Sequence, residues 1–106
     1  PIKSSAASDV YKRQGLYYEL ARHANGEAMR IKAALTELGV AFQVDSPTNQ
    51  QFIYLSEEQA DALRTRCTYD EEWRREGRVA LRLCTSWATQ PQAVDELIAA
   101  LREIIR

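Results

Sequence analysis

An excess of charge of either sign is missing from this chain of 106 residues. Its 14 lysine and arginine residues are balanced by 15 aspartate and glutamate residues, for a net charge of −1, whereas a nucleic-acid-binding chain needs a basic surface. No apolar run approaches the roughly 18–20 residues of a membrane-spanning helix. We therefore expect neither a nucleic-acid nor a membrane partner, and the length suits one domain.

Cysteine, histidine and tryptophan are scarce as well. The spacing of Cys67 and Cys84 is typical of neither a metal site nor a redox pair, so we expect two small buried side chains in a reducing, cytoplasmic environment. His23, the one histidine, is expected to be a partly exposed helix residue. Trp73 and Trp87 are expected to wedge between helix and sheet. Complete P-loop, dinucleotide-binding, nucleophile-elbow and metal-ligand motifs are all missing from the sequence, so we expect no metal site.

Residues 1–14, PIKSSAASDVYKRQ, need a separate interpretation. They have neither the apolar centre of a signal peptide nor the arginine-rich amphipathic pattern of a transit peptide. The stretch AASDVYKRQ looks like the translated linker that recurs at the ends of reading frames from bulk environmental sequencing. We interpret residues 1–14 as a disordered cloning or sequencing scar. The domain would then cover residues 15–106 and be a fragment whose N-terminal part is missing.

Hydrophobic spacing in the rest of the chain predicts an α+β domain. Apolar residues three and four positions apart indicate helices, alternating ones indicate strands, and Ser56-x-x-Gln59 is a capping box. We expect a mostly antiparallel sheet covered by helices on one side. The predicted elements, in chain order, are a helix at 16–38, strands at 40–44 and 51–55, a helix at 56–66, strands at 67–73 and 79–86, and a helix at 94–105 that follows a second capping box at 89–92.

An arginine stands in the middle of the last predicted strand. Val79, Leu81 and Leu83 form a bulky face that can receive helices, whereas Arg82 lies on the opposite face between the small residues Ala80 and Cys84. Small neighbours around one guanidinium suit a cleft wall that binds a carboxylate or a phosphate. The alternative is a structural ion pair with a nearby carboxylate. The chemistry of the sequence alone leaves both interpretations open.

Three segments also resemble a known family. Residues 82–89, RLCTSWAT, resemble the RLVTSWAT segment near the C-terminus of L-threonine aldolase-like enzymes, a branch of the β-eliminating lyase group. Residues 46–50, SPTNQ, resemble a hairpin of the same proteins, and residues 23–25, HAN, are similar to part of their long helix. The resemblance covers essentially residues 15–106. It implies the small C-terminal domain of the aspartate-aminotransferase-like fold, fold type I of the pyridoxal-phosphate-dependent enzymes.

The resemblance also implies a function. Members of the family join pyridoxal 5'-phosphate to a lysine of the large domain and cleave the Cα–Cβ bond of β-hydroxy amino acids, so that L-threonine gives glycine and acetaldehyde. By this resemblance, Arg82 anchors the α-carboxylate of an amino-acid substrate. The cofactor would belong to a full-length, homo-oligomeric parent, and the fragment, with no catalytic or cofactor-binding residue of its own, would be inactive. An apolar patch at Leu16, Tyr17 and Leu20 would then be exposed.

Two other functions stay open. The chain could be the small domain of another fold type I enzyme, such as an aminotransferase or a tyrosine- or tryptophan-cleaving lyase. It could also be a free-standing α+β module that binds an amino-acid-like molecule through Arg82.

Overall fold

The computed structural model describes the backbone of residues 2–105 and the side chains of residues 15, 16 and 18–105. Helices and strands follow each other in the predicted order, so the α+β prediction is confirmed. The interpretation of residues 1–14 as a scar stays a prediction, and their side chains lie outside the described residues. The elements are α1 (Ile2–Glu37), β1 (Ala41–Phe42), β2 (Gln50–Ser56), α2 (Glu57–Arg64), β3 (Asp70–Arg75), β4 (Arg78–Cys84) and α3 (Pro91–Ile104).

The four strands form one antiparallel sheet in the order β1-β2-β4-β3. Along β4, Val79, Leu81 and Leu83 lie on one face and are buried beneath the helices. Their neighbours on the other face, which we call the open face, carry no helix of the described chain. The prediction of a single sheet that is covered by helices on one side is therefore confirmed. The helical residues buried against it are Ile31 and Leu35 of α1, Ala60 and Leu63 of α2, and Val94 and Leu101 of α3.

Local signals set most element boundaries. The capping box that opens α2 is present, since the Ser56 hydroxyl accepts from the Gln59 backbone N–H and the Gln59 side chain accepts from the Ser56 N–H. Gly39 follows α1 at a φ of 75°, a conformation that glycine adopts without strain. The turn between β3 and β4 uses Gly77 at a φ of 77° in the same way.

Several boundary predictions are wrong: α1 begins at Ile2 rather than at residue 16, and β1 covers only Ala41–Phe42 of the predicted 40–44. The third strand begins at Asp70 rather than at Cys67, because the Cys67 N–H bonds the Leu63 carbonyl and thus belongs to the exit of α2. The second capping box does not form. Gln90 occupies the position before α3 without a side-chain cap, while the Thr89 hydroxyl accepts from the Ser86 N–H instead.

Replacement of Ser56 by alanine should lower the free energy of unfolding by about 1 kcal/mol, because an N–H at the start of α2 loses its acceptor. Urea denaturation followed by circular dichroism measures the change. Ser56→Asp is the matched control and should retain most of the stability, since aspartate caps helices as well as serine does. Equal losses in the two variants would contradict the capping role.

Replacement of Leu81 by alanine should cost about 2–5 kcal/mol, because this fully buried side chain lies at the centre of the core and its loss leaves a cavity. Glu72→Ala, at an exposed position of the neighbouring strand, is the control and should stay within about 0.5 kcal/mol of the parent chain. A Leu81→Ala variant as stable as the control would contradict the packing described above.

Candidate functional site

The three segments that carry the family resemblance meet at one end of the sheet. Residues 23–25 lie in α1, residues 46–49 form the loop before β2, which begins at Gln50, and residues 85–89 follow β4. Thr85 joins them: its hydroxyl donates to the Ala24 carbonyl at 2.6 Å, and its N–H donates to the Asn49 carbonyl at 3.0 Å. The Asn49 side-chain amide in turn donates a hydrogen bond to the Thr85 carbonyl at 2.7 Å. Segments far apart in sequence thus form one connected site.

His23 has a structural partner at this junction. Its Nε2 donates to the Thr89 carbonyl at 2.6 Å, which ties α1 to the loop before α3. The side chain is half-buried, as expected from the sequence.

A buried glutamine, not singled out by the sequence analysis, holds the loop before β2. Gln51 is 1% exposed, and its amide Nε2 donates to the carbonyls of Ser46 and Thr48 at 3.0 and 3.2 Å. Gln51 lies on the same face of β2 as Ile53 and Leu55, the face that is directed into the core. A polar residue on the apolar face of an alternating strand was the signal that could have revealed it.

A cavity of 430 Å³ opens beside this junction. Trp87 borders it and is 66% exposed, so the prediction that this side chain wedges between helix and sheet is wrong. Leu16 and Tyr18 are exposed farther along α1. An exposed apolar patch at Leu16, Tyr17 and Leu20 was expected here, and Leu16 is exposed. The side chain of Tyr17 lies outside the described residues. The other residues that line the cavity are Leu20, Ala21, Ala24, Asn25, Asn49 and Ser86.

Arg82 lies on the open face, directed away from the covering helices. Its guanidinium donates to Asp70 Oδ2 at 2.8 Å and more weakly to Gln50 Oε1 at 3.4 Å. The hydrogen bond that the guanidinium donates to Asp70 is the main reason that the pKa of Arg82 is raised, so the group stays charged. Its buried Nε has no acceptor among the residues that the structure describes.

A shallow pocket of 180 Å³ adjoins this guanidinium, lined by Thr68, Tyr69, Asp70, Arg82 and Cys84. The structure therefore contains both features that the sequence left as alternatives, a carboxylate partner and an open space. Asp70 is itself well exposed, and an exposed ion pair contributes little to stability. With five N–H donors in a planar fork, the guanidinium can bind a further anion from the pocket side.

The prediction that both cysteines are buried is wrong. Cys84 is exposed because it lies on the open face, and Cys67 is half-buried. Partial burial raises the pKa of both thiols, which keeps them protonated at neutral pH and disfavours a nucleophilic role. Trp73 is on the open face too, against Tyr54, and not between helix and sheet as expected.

Among the described side chains, those of residues 15, 16 and 18–105, no group of three or more histidine, cysteine, aspartate or glutamate residues is arranged to hold a metal ion. In the described part of the chain, no helix is long and apolar enough to cross a membrane.

No protein-family model and no curated protein matches this sequence. Among solved structures, the chain is similar to the threonine aldolase of Leishmania major, with a TM-score of 0.84 and 28% identity over 92% of this chain. It spans 29% of that protein. A mutant of Rv3290c from M. tuberculosis is similar in fold, with a TM-score of 0.57 and 14% identity over 92% of this chain and 23% of the other. The chain has a threonine aldolase-like fold and matches the small C-terminal domain of a fold type I threonine aldolase.

Proposed function

We propose that this chain is part of a pyridoxal-phosphate-dependent aldolase that cleaves the Cα–Cβ bond of β-hydroxy amino acids, with L-threonine giving glycine and acetaldehyde. The observation that carries the proposal is the similarity to a threonine aldolase over 92% of the chain. Because the chain spans 29% of that protein, the activity is assigned to a longer parent. We assign the parent, as the family resemblance implies, to a cytoplasmic homo-oligomer with a small amino-acid substrate.

The described residues do not fit the cofactor. A Schiff base to pyridoxal phosphate needs a lysine with a free amine. Lys32 is the only lysine whose side chain is described, and it is bound by the Asp45 carboxylate and the Ser46 carbonyl. The cofactor and its lysine would therefore belong to the remainder of the parent protein. This chain by itself would be inactive.

The role proposed for this chain is to orient the substrate. Arg82 projects from a strand, a rigid element, and borders an open pocket. A guanidinium that forms two parallel hydrogen bonds with an α-carboxylate fixes rotation about Cα and so sets which bond of the substrate is aligned for cleavage. Asp70 would hold the fork in place before the substrate enters and then share it.

Arg82→Ala, in this chain fused to the large domain of a homologous threonine aldolase, should lower kcat/KM for L-threonine by about thirtyfold to several thousandfold, because the carboxylate loses its charged partner. Arg74→Ala is the matched control. Arg74 also binds carboxylates, Asp61 and Glu71, but on the helix-covered face, so kcat/KM should change little. A loss below about threefold for Arg82→Ala would remove the anchor assignment.

Product analysis of the same fusion separates the related enzymes. Glycine and acetaldehyde from L-threonine support the aldolase. Amino-group transfer, or release of phenol or indole, would instead indicate another fold type I enzyme. Calorimetric titration of the chain alone with L-threonine should give no heat of binding, whereas saturable binding that Arg82→Ala removes would favour a free-standing module.

A further inference from the structure

The open face is arranged in rows across β2, β4 and β3. The strand register aligns Phe52, Arg82 and Asp70 in one row, and Tyr54, Ala80 and Trp73 in the next. The third row, at the β3–β4 turn, consists of Ser56, Arg78 and Arg75. Two arginines are thus direct cross-strand neighbours on the same face.

Like charges that face each other across an antiparallel pair are unfavourable unless an anion lies nearby. Arg75 and Arg78 are both exposed, and neither has a carboxylate within ion-pair distance or a hydrogen-bond acceptor in the described part of the chain. Other arginines of the chain differ in this respect: Arg74 and Arg82 bind carboxylates. The positive charge of this pair is therefore not compensated within the described residues.

Aromatic rings hold the two guanidinium groups in place. The Arg78 guanidinium lies 4.2 Å from the centre of the Tyr54 ring, and that of Arg75 lies 4.4 Å from the Trp73 ring. The two rings pack against each other at 5.8 Å. Stacking uses the flat face of a guanidinium and leaves its N–H edge available for hydrogen bonds. Preorganised donors lose little side-chain entropy when they bind an anion.

A groove of 410 Å³ begins beside Arg78 and Tyr54 and continues past Leu38 and Val40 towards Ile105. Its lining combines apolar residues that follow α1, residues of β1 and β2, and Gly77 and Arg78 at the β3–β4 turn. An extended segment that places a carboxylate on Arg78 therefore has an adjacent surface for its apolar side chains.

We propose that Arg75, Arg78, Tyr54 and Trp73, together the arginine–aromatic patch, form a docking surface for an acidic peptide segment of a partner protein. The segment supplies carboxylates to the two guanidinium groups, and charge complementarity is the reason for assigning this occupant. A nucleic acid fits less well, because Glu72 and Glu76 flank the patch and the chain has a net charge of −1. The proposal does not depend on the aldolase assignment.

Titration of the ¹⁵N-labelled chain with hexaglutamate tests the proposal. The chain has two tryptophans, so two indole N–H signals report on the two surfaces. The Trp73 signal should shift with saturable binding, and the Trp87 signal should not, since that side chain borders the other cavity. Arg75→Gln/Arg78→Gln should weaken hexaglutamate binding by about tenfold.

Arg64→Gln/Arg102→Gln is the matched control. It removes the same charge from two exposed arginines that bind carboxylates of their own chain, and Arg64 also stacks on a ring, that of Tyr69. Its affinity for hexaglutamate should stay within about twofold of the parent chain. Equal weakening in both double variants would show that net charge alone attracts the peptide and would overturn the proposal. So would an unshifted Trp73 signal.

Three further probes check the class of partner. Hexaglutamine should not shift the Trp73 signal, since it carries no charge; a shift equal to that of hexaglutamate would overturn the carboxylate assignment. Inorganic phosphate and single-stranded oligothymidine should bind more weakly than hexaglutamate at equal salt. If either binds more tightly, and loses that binding in Arg75→Gln/Arg78→Gln, the occupant is a phosphate ligand and not an acidic peptide.

Discussion

The two-residue period of β4 is the constraint on which the rest of the structure depends. Val79, Leu81 and Leu83 are buried under three helices, so the residues between them must project to the other face. A shift of register by one residue would bring Arg82 into the apolar core, where an arginine is strongly disfavoured without a partner. Core packing therefore fixes the direction of Arg82, the side chain for which a substrate-binding role is proposed.

The end of the same strand is anchored by hydrogen bonds instead of apolar packing. Thr85 connects α1 and the loop before β2, and buried Gln51 holds that loop from the core side. Loops fixed to a rigid scaffold in this way are where binding residues are usually found. The exposed Trp87 and Leu16 near this end give it the apolar character of a contact surface, as expected if the remainder of a longer enzyme packs there.

Arginines of the sheet occupy three environments that differ in how far their charge is compensated. Arg74 lies on the covered face between carboxylates of α2 and β3. Arg82 shares one exposed carboxylate and borders a pocket. Arg75 and Arg78 have aromatic rings but no carboxylate among the described residues. The capacity to bind an external anion increases in that order, because each carboxylate partner uses donors that a ligand would need.

The sequence by itself determined the order of helices and strands, the face on which Arg82 lies and the family resemblance, because spacing, capping and turn residues act between near neighbours. It did not reveal that Asp70 binds Arg82, that Gln51 holds a loop, that Trp73 and Trp87 are outside the core or that Cys84 is exposed. Those facts depend on which strand lies beside which and on which face the helices cover. Contacts between residues far apart in sequence exist only once the sheet is assembled, so the tertiary structure decided them.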